Sequence, residues 1–459
     1  MDGMHRKKIL IAGLGKSGMA AARLLSGQQA DLYGYDDKSE EVFSPENRKI
    51  LRELGVRCFL GQEPDFYEFD QVITSPGMAL RTRVLEKARQ AGAEIIGELE
   101  LAYRNSRSPF VAITGTNGKT TTTALVGEMY RLSGIPFRVV GNIGIPVADQ
   151  VLAADERTVM VTEVSSFQLE TIVDFHPRVS AVLNITPDHL DRHGSLEEYL
   201  RVKFRIFENQ REGDYCVFNM DDPLAAQSVQ RDLKAKAVPF SARRELDFGV
   251  CVRGGRIFIA EGGSSGTEVC SVDDLKIPGA HNLENALAAV AVARFAGVPL
   301  PAIREALQTF AGVEHRIEFV AEVEGAAYIN DSKGTNPDAA EKAILAVSGP
   351  ILLIAGGYEK HGDFDSFTAL LPGRVEHLLL MGETAGRIAD SARKNGFPEE
   401  RMHFCRDMED CVLRAAGLAR RGDAVLLSPA CASWDMYANF EERGRDFKQC
   451  VHRLKPQGT

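Results

Sequence analysis

The sequence contains no apolar run approaching the ~18 residues that a membrane-crossing helix needs, so no part of it is expected to span a bilayer. It has no basic excess either. Its 54 Lys and Arg stand against 64 Asp and Glu, a net charge of −10, which argues against non-specific binding to nucleic acid or to anionic membranes. Nor do its eight cysteines (Cys58, Cys216, Cys251, Cys270, Cys405, Cys411, Cys431 and Cys450) include a Cys-x-x-Cys pair or a metal-ligand spacing; they read as reduced thiols of a cytosolic protein. Near the start, Gly13 and Gly15 cut the run Ile9-Leu10-Ile11-Ala12 short of a signal-peptide core. A cytoplasmic location is expected. Internal repeats and low-complexity tracts are also absent.

What is present is an ordinary globular composition, 44% hydrophobic and 26% charged over 459 residues. At ~100–200 residues per domain, three domains are the natural expectation. Short apolar runs alternate with amphipathic stretches, the α/β pattern. Strands are expected at Lys8–Ala12, Asp31–Tyr35, Gln71–Thr74, Phe110–Thr114, Thr158–Val164 and Val179–Ile185, and later at Ala327–Asn330, Ile351–Ala355, His377–Met381 and Ala424–Ser428. Helices are expected at Ser17–Leu25, from Thr120, at Leu196–Phe207 and at His281–Ala296, with a loop at Gly262–Gly266. These elements suggest a Rossmann-like domain over 1–107, a central P-loop domain over 108–312 and a second Rossmann-like domain over 313–459.

The sharpest local signal is Ile113-Thr114-Gly115-Thr116-Asn117-Gly118-Lys119-Thr120-Thr121. A strict P-loop would have glycine at position 113, so this is a variant whose first glycine is Gly115. Its physics is unchanged. Glycines let backbone N–H groups curl around phosphate oxygens, and the following helix presents its N-terminal donors and dipole. Lys119 supplies charge for the terminal phosphates, and the Thr120 hydroxyl suits Mg²⁺. The bland alternative is a strand–turn–helix with a surface lysine.

A second glycine motif, Gly13-Leu14-Gly15-Lys16-Ser17-Gly18, follows the first strand, with Asp36-Asp37 about twenty residues on. Taken alone it suggests a nicotinamide cofactor, but the same turn grips any nucleotide diphosphate. A separate ATP loop favours a nucleotide sugar, with Gly15, Lys16, Ser17, Asp36, Asp37, Lys38 and Gly77 as candidates. Packing glycines with no ligand remain the third alternative.

The phosphate loop, read with Gly141-Asn142-Ile143-Gly144, Glu163-Val164-Ser165-Ser166-Phe167-Gln168-Leu169-Glu170 and Asn184-Ile185-Thr186-Pro187-Asp188-His189-Leu190-Asp191-Arg192-His193, resembles the Mur ligase family, which builds the peptide stem of bacterial peptidoglycan. Further motifs are Tyr199-x-x-x-Lys203, Gly279-x-His281-Asn282-x-x-Asn285, Glu314-His315-Arg316-x-Glu318 and Asp331-Ser332-Lys333-Gly334-Thr335-Asn336-Pro337. The resemblance covers essentially the whole chain. The run Ser428-Pro429-Ala430-Cys431-Ala432-Ser433-Trp434-Asp435, with Asn439-Phe440-Glu441-Glu442-Arg443-Gly444 and Gly97-Glu98-Leu99-Glu100, is similar to the D-glutamate-adding branch. Trp434 departs from it, because an aliphatic residue is expected there.

The resemblance implies ATP-dependent amide formation between UDP-N-acetylmuramoyl-L-alanine and D-glutamate through an acyl phosphate, with ATP and two Mg²⁺ ions as cofactors and a monomeric enzyme. It places ATP on Gly115, Thr116, Asn117, Gly118, Lys119, Thr120, Thr121, Asn282, Asn285, Arg316 and Asp331. It places the metals on Thr120, Glu163, His189 and an N-carboxylated Lys203. Asn142, His189, Lys333 and Thr335 would meet the acyl phosphate or substrate, and Lys360, Ser433, Trp434 and Phe440 the amino acid.

Residue chemistry alone leaves blander roles open. Glu163 could cap the following turn, Asn282 could cap its helix, and Lys203 and Lys360 could be solvated surface lysines. Two other classes compete with a ligase, a nicotinamide oxidoreductase and a nucleotide switch. Within the ligases the architecturally related folylpolyglutamate synthases, with a folate acceptor, are a closer alternative that the N-terminal nucleotide-type domain argues against.

Overall fold

The computed structural model describes residues 6–142, 144–227, 233–262, 266–277, 279–358 and 364–454, in two compact units, Met1–Phe310 and Ala311–Thr459. The first unit opens with five parallel strands, β1 (Lys7–Ala12), β2 (Ala30–Asp36), β3 (Arg57–Leu60), β4 (Gln71–Thr74) and β5 (Glu94–Gly97), in the order β3-β2-β1-β4-β5. Ile9 to Ala12 are buried, as a continuous apolar run in a central parallel strand requires. Strand order reverses between β1 and β4. The turns after these two strands therefore border the crevice where open α/β sheets hold ligands.

The second sheet of this unit has nine strands: β6 (Phe110–Thr114), β7 (Phe137–Gly141), β8 (Val159–Glu163), β9 (Val179–Val182), β10 (Tyr215–Asn219), β11 (Lys236–Ser241), β12 (Phe248–Arg253), β13 (Arg256–Glu261) and β14 (Thr267–Ser271). Their order is β14-β13-β12-β11-β10-β9-β6-β8-β7, with β6 paired in parallel to both β8 and β9. The loops following β6, β8 and β9 thus share one end of the sheet. The antiparallel run β12 to β14 is an addition to the sequence-based expectation. Its signal was Gly254-Gly255, which takes the two positive-φ positions of a tight hairpin (φ 52° and 74°). The expected loop around 262–266 falls mostly on residues outside those described.

Helix Ala280–Phe295 is buried along Asn285–Ala293 and packs against helix Lys119–Ser133. Its small side chains allow close approach, so its alanine richness reflects packing as well as propensity. The second unit is a six-stranded sheet of β15 (Glu318–Val323), β16 (Ala326–Asn330), β17 (Ile351–Ala355), β18 (Val375–Leu380), β19 (Met402–Phe404) and β20 (Ala424–Leu427), ordered β15-β16-β20-β17-β18-β19. Only β15 runs antiparallel to its neighbour. Among the described residues no helix is long and apolar enough to cross a membrane, and all eight cysteines are free.

Two buried carboxylates on helix Glu98–Arg104 tie the first sheet to the second. Glu100 accepts backbone N–H bonds from Val173, Asp174 and Phe175 at 2.9–3.0 Å and pairs with Arg104. Glu98 accepts from the Ala148 N–H at 2.6 Å. Burial outweighs that bond and pushes its carboxyl up to about 7. A carboxyl raised on folding favours the folded state below its unfolded value, and that contribution is lost as pH rises from about 4.5 to 7. Glu98→Gln removes the titration. Urea unfolding should show the variant gaining up to about 3 kcal/mol relative to the parent between pH 4.5 and 8; a pH-independent difference refutes the assignment.

Candidate active site

The phosphate loop leaves the end of β6 and turns into helix Lys119–Ser133 at Gly118. Gly118 has φ +81°, and a Cβ there would lie 2.1 Å from Asn285 Oδ1, so both backbone and packing demand glycine. Asn285 therefore buttresses the loop from the neighbouring helix. It also bonds Asn282 Oδ1 through its Nδ2 at 3.2 Å.

Asn184, just beyond β9, clips the loop in place. It accepts from the Thr116 N–H through its carbonyl and from the Asn117 N–H through Oδ1, at 2.9 and 2.8 Å. The Thr116 hydroxyl is used by Tyr199 at 3.0 Å and by the Thr186 main chain. Thr116 and Asn117, both expected at ATP, thus hold the loop's shape. The donors aligned for an anion are those of the helix's first turn, from Lys119 to Thr121. The Lys119 ammonium folds back on the Gly115 and Thr116 carbonyls, at 2.8 Å each.

Lys203 is not a solvated helix lysine. It is 2% exposed, donates to Gly115 O at 2.8 Å, and lies over the Tyr199 ring. Burial first, then the charge of Lys119, push its amine well below the ordinary lysine range.

Glu163, at the end of β8, is equally buried. Its Oε1 accepts from Asn142 Nδ2 at 2.7 Å, while its Oε2 is buried without a hydrogen-bond partner. Such an orphan oxygen beside a phosphate loop fits a cation ligand. Thr120, also buried, offers its hydroxyl from the helix start. His189 has φ +52°, packs on the Phe167 ring at 4.9 Å, and has a half-exposed side chain. Among the described residues no three His, Cys, Asp or Glu side chains converge as a metal cluster. The oxygen donors here are a carboxylate and a hydroxyl, completed only if Lys203 gains a carboxylate of its own.

In the first sheet, two of the three motif glycines are packing residues. A Cβ at Gly13 would meet Ser75 at 2.7 Å, and one at Gly18 would meet Gly13 O at 2.0 Å. Gly15 alone faces open space. The Asp36 carboxylate accepts from the Leu14 and Lys38 N–H groups, so it caps the glycine turn, and Asp37 accepts from the Tyr35 hydroxyl. Gly15, Lys16, Met19 and Arg23 line a cavity of about 400 Å³ against Pro146 and Asp149. Ser17 is half-buried, whereas Lys38 and Gly77 are exposed.

In the second unit, the loops after β16, β17 and β20 emerge side by side. Asp331 is buried, accepts from Ser428 Oγ at 2.7 Å and the Ile317 N–H, and is pushed up to about 7 by desolvation. Lys333 N–H bonds His315 O, and Thr335 N–H bonds Lys333 O. Arg316 is exposed between His315 and Ile317, both at positive φ. Ser433 is buried, Phe440 is half-buried against His315, and Trp434 is 61% exposed beside Tyr358. Lys360 lies outside the described residues. The sequence reading missed Arg443, which is 1% exposed and clasps the carbonyls of Ser332, Cys431 and Ala432. Nothing but its place in a motif distinguished it from a surface arginine.

A glycine loop opening a helix, a buried carboxylate with one unpartnered oxygen at the end of the adjacent strand β8 and a buried lysine amine are features that suit a nucleotide-phosphate-handling α/β protein. Three family descriptions match in succession: "Mur ligase MurD-like, N-terminal domain" over 7–97, "Mur ligase middle domain" over 113–293 and "Mur ligase, glutamate ligase domain" over 315–431. The chain belongs to the Mur ligase family. It is 48% identical over 454 residues to a protein of Caldanaerobacter subterraneus subsp. tengcongensis named UDP-N-acetylmuramoylalanine–D-glutamate ligase, covering 98% of this chain and 99% of that one. A Clostridioides difficile protein of the same name is 44% identical, again over 98% and 99%. The fold is also shared with the UDP-N-acetylmuramate-alanine ligase of Thermotoga maritima (TM-score 0.55, 20% identity, 98% and 100% covered).

Gly118→Ala should cost about 1–2 kcal/mol in backbone strain alone, and the clash with Asn285 adds to it. Binding of a non-hydrolysable ATP analogue should weaken at least about tenfold. Unchanged affinity would mean that the loop does not hold the nucleotide.

Proposed function

We propose that this protein is the ATP-dependent ligase that joins D-glutamate to UDP-N-acetylmuramoyl-L-alanine, giving ADP and phosphate, as a cytoplasmic step of peptidoglycan precursor synthesis. The observation that carries this is full-length identity of 44–48% to relatives bearing that name. In the reaction the substrate carboxylate attacks the γ-phosphorus of ATP, and the bond to the bridging oxygen breaks as ADP leaves. The D-glutamate amine then attacks the acyl carbonyl, loses a proton, and expels phosphate.

Each step brings anions together, so its barrier is largely electrostatic. Lys119 exchanges its two carbonyl partners for phosphate oxygens, and the first-turn amides of its helix support the same charge. Lys203 suits N-carboxylation because carbon dioxide adds only to a neutral amine, releasing a proton. The resulting carbamate, Glu163, Thr120 and His189 would hold Mg²⁺, which when bound neutralises phosphate charge. Asn142 keeps Glu163 aimed. Arg316, Asp331, Lys333 and Thr335 are assigned to ATP and the acyl phosphate, and Ser433, Trp434 and Phe440 to D-glutamate. Gly15, Lys16, Ser17 and Gly77 are assigned to the nucleotide sugar, with Asp36 shaping that turn.

Offering UDP-N-acetylmuramoyl-L-alanine with each amino acid in turn and following ADP should show release with D-glutamate; release indifferent to the amine rejects the ligase. Lys119→Ala should lower kcat by at least about a hundredfold, and near-normal ligation would remove Lys119 from the phosphate site. Lys203→Ala should be inactive and regain turnover when short carboxylic acids are added. Full activity without them excludes the carbamate.

A further inference from the structure

We propose that Arg192 is a positioning residue that couples the ligand crevice of the first sheet to the phosphate-handling end of the second. The guanidinium donates to the carbonyls of Pro76 and Met78, at 2.9 and 3.1 Å. Those two carbonyls flank Gly77, in the turn after β4 that borders the crevice. The other side of the same guanidinium forms a two-pronged pair with Glu170, at 2.6 and 3.1 Å.

From Glu170 the contacts continue inward. His193 Nδ1 lies 3.5 Å from Glu170 Oε1, and its Nε2 lies 3.1 Å from Ser166 Oγ. Ser166 begins the helical turn that starts three residues beyond Glu163. Arg192 also sits 3.9 Å above the Phe167 ring, on which His189 packs. One side chain thus touches the crevice turn and supports both Phe167, beneath His189, and the turn beyond Glu163. The side chains are nearly enclosed: Arg192 is 15% exposed, Glu170 11% and His193 2%. A two-pronged charge-assisted pair in such a setting has a fixed geometry, so moving the 76–78 turn moves His189 and Ser166 with it.

The inference rests on the reading that the nucleotide sugar occupies the first crevice and ATP the central loop. Given that reading, each ligand biases the same linked elements, and their affinities must be coupled reciprocally. Alanine at 192 removes both sets of bonds. Lysine keeps the charge but not the fork. Glu170→Gln keeps the shape but not the ion pair.

The test measures the dissociation constant of UDP-N-acetylmuramoyl-L-alanine with and without a non-hydrolysable imido analogue of ATP. In the parent enzyme the analogue should tighten binding by about fivefold or more. In Arg192→Ala that ratio should fall below about twofold while each ligand alone binds within about threefold of the parent, and kcat should drop with little change in KM for ATP. Should Arg192→Ala not fold, Arg192→Lys and Glu170→Gln carry the same expectation. A parent enzyme with no coupling, or variants that retain it, overturns the proposal alone. A parent that binds no UDP substrate overturns the functional reading, and the proposal with it.

Discussion

The strand-end cluster of the first unit is organised around a lysine amine held almost wholly out of water against the Gly115 carbonyl. Lys203 and Lys119 both donate to the Gly115 carbonyl, at 2.8 Å each. Two ammonium groups cannot share that position cheaply, and burial, then the charge of Lys119, push the Lys203 amine well below the ordinary lysine range. The same end of the sheet carries the Glu163 carboxylate, one of whose oxygens is buried without a hydrogen-bond partner. The architecture around it serves that juxtaposition. Pairing β6 in parallel with both β8 and β9 brings three loops to one edge, and Asn184 pins the first of them to the third.

Much of this was legible in the chain because it is encoded locally. The apolar runs of β1, β4, β6 and β17 mark strands whose two faces are covered, and they fall where the periodicity predicts. The hairpins from β12 to β14 were less visible. Their strands are short, and only the Gly254-Gly255 turn betrays them. Burial was the main thing the sequence withheld. A lysine on an amphipathic helix looks the same whether its tip reaches solvent or the Gly115 carbonyl, and the difference is decided by what packs over residues 196–204. Arg443 repeats the lesson. Its guanidinium is enclosed by backbone carbonyls from two loops distant in sequence, so no window around it could show its role.

The motifs themselves divide unexpectedly between building the site and contacting a ligand. Asp36 caps the glycine turn it was expected to complement with a ribose contact. Thr116 and Asn117 spend their main-chain donors on Asn184, Asn142 aims Glu163, and Asn285 fills the space a Gly118 side chain would need. Motif residues of this kind are constrained because buried polar groups must all be satisfied at once, and a substitution leaves a partner orphaned. In the two glycine turns of the first unit, the groups left to face an anion include the helix-start amides, the Lys119 and Lys16 ammonium groups and Gly15, with open space beside it.

That division has a physical rationale. A ligand with several negative charges needs donors whose orientation is fixed before it arrives, because reorganising dipoles during the reaction would return much of the stabilisation. Fixing them takes polar side chains that never touch the ligand. The pairs Asn184 with the phosphate loop, Asp36 with the first glycine turn and Arg443 with the loops of the third sheet each do this at a different strand end. In all three the anchoring group bonds main chain, which constrains the path of the loop itself; Arg443 adds a bond to the Ser332 hydroxyl at 3.1 Å. Within each unit, loops that on sequence alone look polar and unconstrained are thereby held to one path.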